Sequence, residues 1–170
     1  VAAEMERTRP LQIDSARDLH SFPPDDFPLE RPQKVDMALV DQHQNIKHPL
    51  TKEQQTLLGV TDYFSFLDSN ERFSTYLFYN HSMESHYSNS IELITIGRNS
   101  HAVHKLTLAQ GYGNELQEFE IESEWVGKNR IRQRRKEVFR GVDRKGKDST
   151  STREAVYQIG KSGEIERVDR

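Results

Sequence analysis

Phe119-Glu-Ile-Glu-Ser-Glu-Trp-Val-Gly-Lys-Asn-Arg-Ile-Arg-Gln-Arg-Arg-Lys136 is the stretch of sequence that decides the fold of this chain. Its side chains alternate in character with a period of two, as in β-strands that have one face in water and one in the core. Placing Gly127-Lys128-Asn129 in a three-residue hairpin loop, with Asn129 at the left-handed position, pairs Val126 with Arg130. The same register then sets three glutamates opposite three basic residues: Glu124 with Arg132, Glu122 with Arg134 and Glu120 with Lys136.

The opposite face of this hairpin is apolar and carries Phe119, Ile121, Trp125 and Ile131. A slip of one residue would set the three glutamates opposite Ile131, Gln133 and Arg135, so that only one of them would face a basic residue and the register is well specified. The sequence therefore predicts an amphipathic hairpin with Trp125 in the core.

The basic strand of the hairpin, taken alone, has the composition of a nucleic-acid-binding segment. Residues 130–147 contain nine basic and two acidic side chains, a pattern typical of contacts to a phosphate backbone. Residues 114–126, however, carry five glutamates and no basic residue. Since the hairpin brings the two rows together, we expect a self-paired face in water. Nucleic-acid binding through the Arg-rich strand remains an alternative.

Proline and glycine divide the chain into two parts. All six prolines lie within the first 49 residues, whereas all nine glycines lie at residue 59 or later. Proline fixes φ and removes a hydrogen-bond donor, while glycine supplies the positive φ of tight hairpins. We therefore predict an extended, proline-containing lead-in over residues 1–49 that packs on the body, and a single β-rich domain over residues 50–170. Within the lead-in, the alternation of Val35, Met37 and Leu39 predicts a strand.

The β-rich domain begins with one predicted short helix. Thr51 can cap its N-terminus, Gln54 completes a capping box, and Gly59 follows the last apolar pair as a stop. From Tyr63 onwards the hydrophobic period changes to two, and seven or eight strands fit into the remaining residues.

The last hairpin repeats the design of the first. A Lys161-Ser162-Gly163 loop sets Ile159 opposite Ile165 and places Gly163 at the left-handed position. Consecutive hairpins of this kind favour a mainly β fold, an antiparallel meander forming a sandwich or a partly closed barrel.

Composition excludes several classes of function. The sequence has 170 residues, no cysteine and a formal net charge of −3, so it offers no disulfide, thiol nucleophile or cysteine-ligated metal site. It contains no nucleophile elbow, phosphate-binding loop, dinucleotide fingerprint or calcium loop, and we assign no catalytic residue and no cofactor. No apolar run reaches the roughly 18–20 residues of a transmembrane helix.

The most promising ligand surface is the polar loop over residues 80–90. His81 and His86 flank this loop, and Tyr87 follows; we take these three residues as the candidate site. A metal-dependent hydrolase using the loop histidines, with Glu84 between them, is the alternative. The aromatic side chains of residues 63–79 are interpreted as core, because both faces of those strands are apolar.

The closing segment, Tyr157-Gln-Ile-Gly-Lys-Ser-Gly-Glu-Ile165, joins a tyrosine–isoleucine strand to a glycine turn. With the meander that precedes it, over roughly residues 60–170, it resembles small exported bacterial lipoproteins of unknown function. The resemblance implies an extracytoplasmic location, in the periplasm or cell envelope, with a lipid anchor upstream of Val1. The expected function is a non-catalytic β domain that binds a protein or glycan partner.

Overall fold

The computed structural model describes residues 11–12, 33–42, 48–81, 89–141 and 145–169. Within these ranges the chain forms eleven strands and two short helices. The strands are β1 (Leu11–Gln12), β2 (Lys34–Val35), β3 (His48–Pro49), β4 (Asp62–Ser69), β5 (Phe73–Asn80), β6 (Ser90–Gly97), β7 (Ala102–Gly113), β8 (Gln117–Gly127), β9 (Arg130–Phe139), β10 (Ser149–Ile159) and β11 (Ile165–Arg167). The helices are α1 (Met37–Gln42) and α2 (Lys52–Leu58).

One antiparallel sheet contains every described strand. Its main path runs β11-β10-β9-β8-β7-β6-β5-β4-β3, while β1 pairs with β7 and β2 pairs with β8. Neighbours along the main path are consecutive in sequence, so the sheet is a meander, and its two ends do not pair among the described strands. The mainly β, antiparallel fold is confirmed, with the sheet not closed. The prediction of a single helix is wrong, because α1 is also present.

The β8–β9 hairpin has the charge register predicted from the sequence. Glu124, Glu122 and Glu120 lie opposite Arg132, Arg134 and Lys136, and Trp125 lies opposite Ile131. The turn differs in detail, because Gly127 and not Val126 pairs with Arg130, and the register shifts at Val126. Asn129 also lacks the predicted positive φ, which among the described non-glycine residues only His101 has.

The main core lies between the two halves of the meander. Strands β7 and β8 pair only where Gln110–Gly113 meet Glu118–Ile121, so beyond that point the sheet folds over. The resulting cluster joins side chains of β5 and β6 to side chains of β8, β9 and β10; it includes Phe73, Leu77, Tyr79, Leu93, Trp125, Ile131 and Ile159. Trp125 is buried as predicted, with 8 % of its surface exposed.

The turn between β10 and β11, at one end of the meander, packs against β6 and is hydrogen-bonded to it. Ile159 pairs with Ile165, as predicted, and Gly163 adopts a φ of +90°. The Gly163 carbonyl oxygen accepts a buried hydrogen bond from Thr95 Oγ1. A β-carbon at Gly163 would lie 3.0 Å from Phe73 Cγ, so both φ and packing require glycine here.

Helix α2 covers the outer face of the β4–β7 half. Its capping box is present, with Gln54 N–H donating to Thr51 Oγ1 and Thr51 N–H donating to Gln54 Oε1. Gly59 ends the helix in the left-handed conformation. A second core cluster lies beneath it, formed by Leu50, Leu58, Val60, Tyr63, Tyr76, Phe78, Ile94, Ile96 and Val103.

Helix α1 replaces the strand predicted from Val35, Met37 and Leu39. The Asp36 carboxylate accepts the N–H of Leu39, and the Val40 N–H donates to the Asp36 carbonyl oxygen. An aspartate at this position caps a helix, and three alternating apolar residues are too few to exclude one. Val35 and Val40 are both fully buried.

Candidate functional site

The three candidate residues of the 80–90 loop are placed differently by the structure. His81 follows β5 directly and is half-buried. His86 and Tyr87, together with Glu84 of the metal hypothesis, lie outside the described residues. His81 is therefore the residue from which a site can be built.

Around His81 the structure places two polar side chains, Asp62 and Tyr79, that no local sequence pattern assigns to a site. We call these three residues the Tyr79 cluster. Asp62 pairs directly with Tyr79 across β4 and β5, and His81 lies two residues beyond Tyr79, so all three side chains share one face. His81 Nε2 lies 3.5 Å from Asp62 Oδ2, and the Tyr79 and His81 ring centroids are 4.4 Å apart.

Thr61 holds the cluster in place from the adjacent turn. Its hydroxyl donates to Asp62 Oδ2 over 2.7 Å and accepts the N–H of His81 over 2.9 Å. One side chain thus orients both the carboxylate and the backbone that carries the imidazole. The cluster is a preorganised set of polar groups at the end of the β4–β5 hairpin.

The Tyr79 hydroxyl is the unusual member of the cluster. Tyr79 is 1 % exposed, and its hydroxyl has no hydrogen-bond partner in the described structure. Burial, followed by the negative charges of Asp41 and Asp62, raises the pKa of Tyr79 to about 12. The phenol therefore keeps its proton at neutral pH and can donate a hydrogen bond. Few buried polar groups in native proteins lack a partner, and such a group needs an explanation.

Only part of this cluster can be inferred from the sequence. The spacing of Tyr79 and His81 is that of two residues on one face of a strand. The tyrosine was instead grouped with the core aromatics, and its ring does belong to the main core. Nothing local singled out Asp62, because its pairing with Tyr79 depends on the register of β4 and β5, which shifts twice between Tyr63 and Asp68.

The histidines do not form a metal site within the described residues. In that part of the chain, no three histidine, aspartate or glutamate side chains converge closely enough to hold a metal ion. The Asp62–His81 pair would orient an imidazole as carboxylates do in metal centres. Further ligands would have to come from residues outside the described ranges.

The Arg-rich strand is paired with acidic side chains, as the sequence predicted. Arg134 contacts Glu122 at 2.7 Å and Arg132 contacts Glu124 at 3.2 Å. A cavity of about 270 Å³ lies over this row and is lined by Lys34, Glu122, Ser123, Glu124, Arg132, Arg134 and Glu154. Its alternating charges offer a phosphate backbone as much repulsion as attraction.

No family model, curated protein or solved structure shows significant similarity to this chain. Neither described helix is long and apolar enough to cross a membrane. The Tyr79 cluster is therefore interpreted from its own geometry.

Proposed function

We propose that this protein is a non-catalytic β domain that binds a protein or glycan partner outside the cytoplasm, and that the Tyr79 cluster contacts this partner. The observation that carries the binding proposal is the buried Tyr79 hydroxyl without a hydrogen-bond partner in the described structure. The location rests on the resemblance to exported lipoproteins and on the proline-containing lead-in.

The cluster offers the groups that recognise hydroxyl-rich or amide-rich ligands. The Tyr79 phenol can donate to a ligand oxygen, the Asp62 carboxylate can accept from a ligand hydroxyl or amide, and the His81 imidazole provides a flat ring at the surface. The His81 side chain is 21 % exposed, so a partner reaches the cluster over the imidazole. Hydroxyls of a glycan and main-chain amides of a protein both match these groups.

Substitution of the tyrosine hydroxyl tests the proposal. Cell-envelope glycans and envelope proteins are each passed over the immobilised protein, and a captured molecule is titrated calorimetrically against wild type and Tyr79→Phe. Loss of a hydrogen bond worth about 1 kcal/mol weakens binding about fivefold. Because the hydroxyl has no described partner, Tyr79→Phe should unfold in urea at the same or a higher concentration than wild type.

Tyr76→Phe is the matched control for this substitution. Tyr76 is buried on the same strand but belongs to the second core, beneath α2, and should bind the captured molecule like wild type. Equal affinities for the two variants would contradict the assignment of the site. Turnover of the captured molecule, or stoichiometric zinc lost on replacing His81 and His86, would favour the hydrolase alternative instead.

A further inference from the structure

Within the described residues, strand β10 has a long edge without a partner strand on the side opposite to β9. It has eleven residues, of which only Tyr157–Ile159 pair with β11. Val156 is covered as well, since Asp169 Oδ1 accepts its N–H and Val168 N–H donates to its carbonyl oxygen. No described strand lies beside the remaining Ser149–Ala155, and Ser149–Glu154 are exposed.

The backbone direction along this edge follows from Val156. The N–H and carbonyl of Val156 both point away from β9, and in an antiparallel strand this direction alternates between successive residues. Thr150, Thr152 and Glu154 therefore also point both backbone groups outwards. In the part of the chain that the structure describes, these three N–H donors and three carbonyl acceptors have no partner strand and can pair with a further one.

This edge has only part of the usual protection against pairing. Natural edge strands are interrupted by proline or bulges or carry charged side chains; the β10 edge has no proline and no bulge, and its two charges, on Arg153 and Glu154, are of opposite sign. The pairing of β10 with β9 continues over ten residues without a register shift. Two residues of the free edge, Thr150 and Thr152, are β-branched and favour extended structure. The edge is regular, polar and ready to accept a strand.

We propose that the β10 edge pairs antiparallel with the β10 edge of a second copy of this chain, with Thr152 opposite Thr152 of that copy. Hydrogen bonds across the join require outward-pointing residues to face one another. This register satisfies that condition, since Thr150 then faces Glu154 of the second copy. It gives six main-chain hydrogen bonds related by a two-fold axis.

The length and charge of the edge select this register. The free edge, Ser149–Ala155, is centred on Thr152, so this alignment uses all seven of its residues. A shift that centres on Arg153 would oppose two arginines. A shift that centres on Ser151 would leave Glu154 and Ala155 without a partner strand. The second strand cannot extend as far as Val156. The N–H of Val156 already donates to Asp169 Oδ1, and its carbonyl oxygen already accepts the N–H of Val168.

Single cysteines test the register directly, because the chain contains none. At Thr152→Cys, the two Cα atoms of a directly opposed, hydrogen-bonded pair would lie about 5.5 Å apart, which suits a disulfide. At Thr150→Cys they would be offset by four residues, about 13 Å, which is too far. We expect a covalent dimer under oxidising conditions for Thr152→Cys and not for Thr150→Cys. Any other pattern of cross-linking overturns the proposal.

Sedimentation equilibrium of the uncross-linked protein provides a second test. Thr152→Pro removes one outward N–H from each copy and leaves the pairing with β9 intact, whereas Thr152→Val keeps the N–H. We expect a concentration-dependent dimer for wild type and Thr152→Val, and at least a tenfold weaker one for Thr152→Pro. Wild type that stays monomeric at all concentrations, or a Thr152→Pro variant that is folded by circular dichroism and dimerises like wild type, overturns the proposal.

Discussion

Glu92 is a buried carboxylate in β6, and its side chain lies on the face of the sheet that α2 covers. It is 5 % exposed. Two hydroxyl groups compensate this burial: Ser90 Oγ donates to Oε1, and the single proton of Thr107 Oγ1 is shared between Oε1 and Oε2, which lie 2.9 Å and 2.8 Å away. Burial nevertheless dominates, and it raises the pKa of Glu92 against the opposing effects of Thr107, Lys105 and Ser90. The charged form is therefore less favourable in the folded state than in the unfolded chain.

Replacing Glu92 with glutamine should change how stability depends on pH. Above the ordinary carboxyl pKa of 4.5, the unfolded chain loses its proton first, so the free energy of unfolding of wild type falls as pH rises towards the raised pKa of the folded state. Glu92→Gln lacks this loss and should gain stability relative to wild type over that interval. Urea unfolding at a series of pH values from 4 to 8 measures the difference.

An exposed glutamate provides the control for this experiment. Glu115 lies in the turn between β7 and β8 and is exposed, so Glu115→Gln should follow the wild-type pH profile. A Glu92→Gln variant whose stability runs parallel to wild type across the whole series would contradict the assignment.

The tyrosine and histidine of the candidate site show how far single residues can be interpreted from sequence. His81 could be selected because a polar loop follows it. Asp62 could not be selected in this way, because a carboxylate at the start of a strand is common and only the β4–β5 register brings Asp62 to His81. Local patterns predict what a residue is suited to contact, whereas the register of a bulged strand pair decides which residue it meets.

Helix α2 was predicted in full because its signals are local. The cap, the capping-box glutamine and the terminal glycine all lie within nine residues, Thr51–Gly59, and each acts on its own helix end. The alternation of Val35, Met37 and Leu39 predicts a strand where α1 lies, because that pattern takes no account of the cap that Asp36 supplies. A helix of six residues depends on tertiary packing, which leaves little trace in its own sequence.

Thr51→Ala should destabilise the protein by about 1 kcal/mol, because the N–H of Gln54 loses its acceptor at the start of α2. Thr56→Ala is the matched control, since Thr56 is exposed in the same helix and its hydroxyl only donates back to the Lys52 carbonyl oxygen. That substitution should leave stability unchanged or raise it slightly. Chemical denaturation of both variants gives the comparison, and equal losses would contradict a capping role.

At the scale of the whole molecule, the sequence predicted the hairpins but not how the two halves meet. Charge pairs and glycine turns specify neighbouring strands, because the partners are close in sequence. The contact of Thr95 with Gly163 joins residues 68 positions apart, and no local pattern encodes it. The sheet folds over at the diverging ends of β7 and β8 so that both halves share one core, which includes Leu77 and Trp125.

A shared core predicts that the β10–β11 turn stabilises the whole molecule rather than its own hairpin. Gly163→Ala adds a methyl group at a φ of +90°, with its carbon 3.0 Å from Phe73 Cγ. Gly146→Ala makes the same change at a φ of +69°, with nothing within 4 Å of the new carbon. Both variants carry a backbone cost of about 1–2 kcal/mol, so the excess at Gly163 measures the packing of the turn on β5.

We expect Gly163→Ala to lose at least about 1 kcal/mol more than Gly146→Ala, which is the range for overpacking a tight contact. Trp125, the only tryptophan, reports on the shared core, while far-ultraviolet circular dichroism reports on the strands. Because the turn and the core belong to one cooperative unit, the two signals should change at the same denaturant concentration in each variant. Separate transitions in Gly163→Ala would instead show that the β8–β11 half detaches on its own, and equal losses in the two variants would show that the turn contributes nothing through Phe73.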